Sequence, residues 1–150
     1  MKTFIVILMS MCVIVPVLAR QSFPEYSTRP PQVRFVSVPV YIDSGSKALA
    51  AYQFELKATR GQIKIVGVEN GESPAFAKPP YYDPAALAHD RIIIAAFNTG
   101  KNLPKGRTRV TTLQLQIIGQ IEPQYKLELS VAADADGNDI PAEITYDKGE

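Results

Sequence analysis

Phe76, Tyr81 and Tyr82, set among the prolines of the stretch from Glu72 to Asp90, are the side chains of this sequence best suited to recognising a ligand. Pro74, Pro79, Pro80 and Pro84 can hold such rings rigid and exposed. Aromatic faces then give apolar contact to the C–H side of a sugar, with Lys78, Asp83 or Asn98 hydrogen-bonding its hydroxyls. The candidate ligand-binding set is Phe76, Tyr81, Tyr82 and Asn98. The same rings have a structural use, in which one tyrosine plugs the end of a core and the other stands exposed.

Catalytic equipment is sparse. His89 is the only histidine, which excludes sites built from two, and no serine lies in a nucleophile motif that it could serve. Beside Asp90 in a proline-rich loop, it reads as a solvated residue or a loop hydrogen-bond donor. Asp43, Glu55 and Glu69 fall where strands face solvent or turns, and no carboxylate pair stands out for glycoside cleavage. The chain is expected not to be an enzyme and to need no cofactor. Asp134, Asp136, Asn138 and Asp139 gather the hard oxygen ligands that calcium prefers. Gly137 comes fourth rather than sixth and Pro141 interrupts, so Asp134, Asp136 and Asn138 are a weak calcium candidate and read first as a β-turn.

These residues belong to a chain that opens with an export signal. Lys2 precedes an apolar run from Phe4 to Leu18, and Val17-Leu18-Ala19 offers the small residues a cleavage site needs. The run is shorter than the roughly 20 residues of a membrane-spanning helix and contains Pro16. Residues 1–19 are therefore read as a signal peptide, the mature protein as secreted or held in the cell envelope, and no transmembrane segment as remaining after cleavage. Met11 is the wrong size for the residue before a lipid-modified Cys12. Of 16 Lys and Arg, cleavage removes Lys2, leaving 15 against 15 Asp and Glu and no cysteine. A neutral domain has no electrostatic footprint for nucleic acid. Without disulfides, stability must come from an apolar core, which one domain of roughly 120 residues can supply.

After a proline-rich leader, 20–32, the apolar period becomes two, the period of strands with one buried face. Val36, Val38, Val40 and Ile42 share one face, with Pro39 placing this strand at an edge or a bend. Tyr52, Phe54 and Leu56 form a second inward set. Ile63, Ile65 and Val68 form a third, with a bulge at Val66-Gly67 and a turn signal at Asn70-Gly71. Asp83 caps a helical turn through Pro84-Ala85-Ala86-Leu87. The run Arg91–Phe97 lacks alternation, so it is either covered on both faces or meets a partner with its outer face. Val110, Leu113, Leu115 and Ile117, then Tyr125, Leu127, Leu129 and Val131, then Ile140, Ala142 and Ile144 complete seven or eight strands. The expected core includes Val38, Val40, Phe54, Ile65, Ile93, Leu115, Leu127 and Leu129. This spacing predicts an all-β, antiparallel β-sandwich spanning 33–150.

The order of elements resembles a cohesin domain, a jelly-roll sandwich of about nine strands. The likeness rests on Val38-Pro39-Val40-Tyr41-Ile42-Asp43, on Ala51–Leu56 followed by Ile63–Val68, on Phe97-Asn98 through Leu103-Pro104-Lys105-Gly106, and on the closing turn Ala132–Ile140. Lys57–Gln62 departs from the family, standing where many cohesins have a Tyr-Asp-Pro type turn. The resemblance implies a secreted, non-catalytic binding module that recognises a dockerin-type protein partner or, like related carbohydrate-binding modules, a polysaccharide undergoing breakdown. The alternative is a structural or assembly component of the bacterial cell envelope or secretion apparatus.

Overall fold

The computed structural model describes residues 30–148; the export run 1–19 and the leader up to residue 29 lie outside them. Eight strands make up the described chain: β1 (Val33–Asp43), β2 (Ala51–Arg60), β3 (Gln62–Glu69), β4 (Tyr81–Tyr82), β5 (Arg91–Phe97), β6 (Arg107–Ile118), β7 (Gln124–Ala133) and β8 (Glu143–Tyr146). About nine were expected. They form two four-stranded sheets, ordered β3-β6-β1-β8 and β4-β5-β2-β7, with every pairing antiparallel. Most connections cross from one sheet to the other, the sandwich expected from the period of two. No helix among the described residues is long and apolar enough to cross a membrane.

Alternation decides the core. Val36, Val38, Val40 and Ile42 of β1, Tyr52, Phe54 and Leu56 of β2, Ile63 and Ile65 of β3, and Leu113, Leu115 and Ile117 of β6 all point between the sheets. Leu127 and Leu129 pack on this core half-buried. The placement of Ile93 in the core is corrected: it is 44% exposed, and Ile92 and Ile94 point inward instead. The cause is register, because β2 pairs Phe54 with Ile94 and Leu56 with Ile92, and directly opposite residues share a face.

Two corners show how the chain changes sheets. A single residue, Gly61, separates β2 from β3; its φ is +77° and a Cβ there would lie 3.1 Å from the Pro123 backbone. Gly71 acts differently from the hairpin turn that Asn70-Gly71 suggests. Its φ is not positive, but a Cβ would meet the Arg109 carbonyl oxygen at 2.8 Å, so glycine lets the chain leave β3 tight against β6. The bulge foreseen at Val66-Gly67 is present as a register shift between Ile65 and Gly67.

Pro39 sits where β8 stops flanking β1. β8 pairs only with Val40–Asp43, and the next amide, that of Asp147, donates to the Pro39 carbonyl at 3.0 Å. N–H and C=O of one strand residue point the same way, so the donor Pro39 lacks would have faced this edge, at the end of β8, and no bond of the β1–β6 ladder is lost.

Two core tyrosines make the fold sensitive to alkali. Burial pushes up the Tyr52 hydroxyl, which donates to the Val110 carbonyl at 3.0 Å. Burial, with smaller effects from Glu122 and Tyr146, raises Tyr125 to about 12. An acid whose folded pKa lies above its unfolded value near 10 contributes stability that is complete below about pH 10 and lost as pH rises through the folded value. Urea midpoints are therefore expected to hold up to about pH 10 and to fall between about 10 and 12, with Tyr52→Phe flattening the fall. A profile independent of these hydroxyls would contradict their burial.

Candidate binding surface

The non-alternating run of β5 explains a strip of exposed apolar ground. Once Ile92 and Ile94 are committed to the core, Arg91, Ile93, Ala95 and Phe97 must face outward on the β4-β5-β2-β7 sheet. β4 pairs Tyr81 with Ala95 and presents the Tyr81 ring to the same side. Tyr81 is 68% exposed and Phe97 67%, and their rings lie 6.1 Å apart, nearly parallel at 11°. Val131 of β7 adds a further exposed apolar side chain, opposite Gln53. The β5 run is thus not covered on both faces, the first of the two sequence expectations: its outer face is bare.

Charged residues cross this face in pairs. Arg91 grips Glu55 with two hydrogen bonds, Nε to Oε1 at 2.9 Å and Nη2 to Oε2 at 2.6 Å. That contact, aided by the charges of Arg91, Lys57 and Lys126, holds the Glu55 carboxyl below its ordinary range. Glu55 stands opposite Glu128, a like-charge pairing that destabilises a sheet unless neutralised. Lys126, 3.0 Å from Glu128, supplies the second neutralisation. A register shift between Gln53 and Phe54 opens a shallow hollow of about 420 Å³ between Gln53, Glu55, Ile93, Glu128 and Ser130.

Two larger hollows flank the strip. One of about 690 Å³ lies between β5 and the turn that Asp83 caps, and His89, Asp90 and Tyr81 help to line it. The other, about 440 Å³, runs past Lys78, Pro79, Tyr81, Phe97 and Thr99. Together they extend the apolar strip into a continuous uneven surface, the relief that a partner's side chains need.

Of the aromatic residues singled out from sequence, the structure brings only Tyr81 fully to this surface. Phe76 is corrected: at 3% exposure it lies in the core, its ring edge-on to Tyr52 at 5.1 Å. Pro74 and the Ser73 cap turn the chain in a single 3-10 turn that drives Phe76 inward. Tyr82 faces the core half-buried, so one tyrosine plugs and the other is exposed. Asn98 is near the strip, but its amide is spent on the loop, donating to the Ala75 carbonyl at 2.8 Å and accepting from Gly100 N–H at 2.6 Å. Asp83 caps its turn as foreseen, accepting from Ala85 N–H at 2.9 Å.

The remaining candidates hold the backbone. The Asp134 carboxylate accepts from the amides of Asn138 at 2.9 Å and Asp136 at 3.0 Å, which keep it below the usual carboxylate range, the Asn138 bond foremost. Asn138 also donates its side-chain amide to Asp134. This is the β-turn reading of the cluster, and no group of three or more His, Cys, Asp or Glu placed to hold a metal occurs among the described residues. His89 is exposed, and its carbonyl accepts from Ile65 N–H at 2.8 Å.

The surface positions of Ile93 and Phe97 are signalled only by the missing polar alternation along Arg91–Phe97, and Val131, grouped by alternation with Leu127 and Leu129, is turned outward by the register shift between Gln53 and Phe54.

No protein-family profile and no curated protein matches the chain. Among solved structures, it is similar to the cohesin CaCohA2, crystallised at pH 5.5 in complex with a variant of the dockerin CaDoc0917. The superposition has a TM-score of 0.56 at 14% identity and covers 72% of this chain and 82% of that one. The β-sandwich is thus cohesin-like in fold.

Proposed function

We propose that this domain is a secreted, non-catalytic binding module that docks a protein partner of the dockerin type through the outer face of the β4-β5-β2-β7 sheet. One observation carries the reading: the exposed apolar side chains of Tyr81, Ile93 and Phe97, with Val131 beyond Gln53, on the outer face of a sheet whose inner face packs on the core. Isolated surface hydrophobics are ordinary, but a contiguous strip rimmed by charge marks an interaction site. The fold of a cohesin supports a protein as the occupant, since the similar chain CaCohA2 is seen in complex with a dockerin. The paired charges of Arg91 with Glu55 and Lys126 with Glu128 suit a rim that sets orientation.

The test has two arms. Immobilised protein is titrated with purified dockerin domains from the same genome, and separately mixed with insoluble polysaccharides. Saturable dockerin binding that leaves the polysaccharides in the unbound fraction is expected. Retention by a polysaccharide, released by soluble sugar, with no dockerin bound would replace the proposal with the sugar reading of Tyr81 and Phe97. Secretion is checked by mass spectrometry of the mature chain, expected to begin near Arg20.

A further inference from the structure

Every other strand residue on the β1 edge, from Val33 to Ser37, points its backbone N–H and C=O away from β6, and among the described residues no strand takes them up. The parity is fixed at both ends. The Gln32 carbonyl accepts from Gly119 on the β6 side at 2.7 Å, and the Pro39 carbonyl accepts from Asp147 on the other. Carbonyls alternate along a strand, so Val33, Phe35 and Ser37 face the open edge, flanked by Pro31 and Pro39.

That edge is its own complement. Pro31, Val33, Phe35, Ser37 and Pro39 are spaced symmetrically about Phe35, and no outward position between the prolines carries a charge, the usual protection of an exposed edge. We propose that β1 pairs with β1 of a second copy of this chain, antiparallel and with the twofold axis at Phe35. Phe35 then lies opposite Phe35 of the second copy and Val33 opposite Ser37. About six ladder hydrogen bonds form, using each outward N–H between the prolines. The pairing ends at Ser37, because beyond it the Pro39 carbonyl is already taken by Asp147 of the same chain, and a slip by two residues sets either Val33 against that occupied position or Ser37 against Pro31, which has no N–H to give. The side chains agree with the backbone. Phe35, 67% exposed, would meet its counterpart on the outer face of a continuous eight-stranded sheet, and Val33 is also exposed. The contact is small, of the weak and concentration-dependent class. It lies on the sheet opposite to the one carrying the proposed partner strip, so both contacts can be made at once.

The protein, isolated in the form that accumulates in its own cells, is followed by sedimentation equilibrium up to about 1 mM, with hydrogen exchange of the peptides spanning 31–39 at low and high concentration. A monomer–dimer equilibrium is expected, with exchange at 31–39 slowing as dimer forms. Phe35→Lys sets two like charges opposite each other and should weaken the dimer at least tenfold. Ser37→Pro removes an outward donor without touching the β6 ladder and should weaken it comparably. A monomer at all concentrations overturns the proposal, as does a dimer indifferent to both substitutions. Protection of 31–39 that is independent of concentration would also overturn it, since another part of the same chain would then cover the edge. Hydrogen exchange on the unsubstituted protein keeps the proposal open to refutation even where a variant does not fold.

Discussion

Ile94→Ala is expected to cost about 2–5 kcal/mol, and its neighbour Ile93→Ala under about 1 kcal/mol. Ile94 is fully buried opposite Phe54, so its truncation removes apolar contact from a close-packed core and leaves a void that two sheets cannot collapse to fill. Ile93 already has nearly half its surface in water and loses only strand propensity and a contact beside Glu55. Urea denaturation of both variants measures the difference. The reverse order, with Ile93→Ala the costlier, would mean that β5 is shifted by one residue against β2, and with it that Phe97 and Arg91 face the core. Because one residue of slip inverts every side chain, this pair tests the position of the whole binding face.

The same pair shows what the sequence makes legible. Strands β1 and β2, and β7 as far as Leu129, alternate clearly, and their inward sets follow from pattern alone, because only one phase hides the valines and leucines while leaving Lys, Glu and Gln in water. Arg91–Phe97 offers no such contrast. Six of its residues are apolar whichever way it turns, and only the pairing with β2, a contact distant in sequence, chooses Ile92 and Ile94 over Ile93. Phe76 was hidden for a related reason. Its neighbours are loop-forming, and nothing local reveals that a single turn after Ser73 aims the ring at Tyr52, whose position is set by β2 and not by any residue near Phe76 in sequence. The two-residue β4 is likewise too short to show a period, yet it places Tyr81 against Phe97. Turn chemistry fared better, since the Asp83 cap and the Asp134 turn depend on side chains within a few residues of the amides they serve.

The double variant Ile93→Thr with Phe97→Thr is expected to weaken dockerin-type binding at least about a hundredfold, or about 2.7 kcal/mol, with little change in stability. Threonine keeps the β-branched shape that strands favour, so the substitution alters what the face offers a partner and not how β5 pairs. The size of the loss follows from position. Phe97 completes the parallel ring pair with Tyr81, and Ile93 lies beside the hollow at the β2 register shift, so both offer exposed apolar surface to a partner. Central apolar anchors dominate binding energy, whereas rim charges chiefly set encounter rate and orientation. Arg91→Ala therefore serves as a contrast. It releases Glu55 from an exposed ion pair and should change affinity by a smaller factor that shrinks as salt is added. A folded double variant that binds as well as the unsubstituted domain would remove this sheet face from consideration, and a larger effect from Arg91→Ala would make the interface electrostatic rather than apolar.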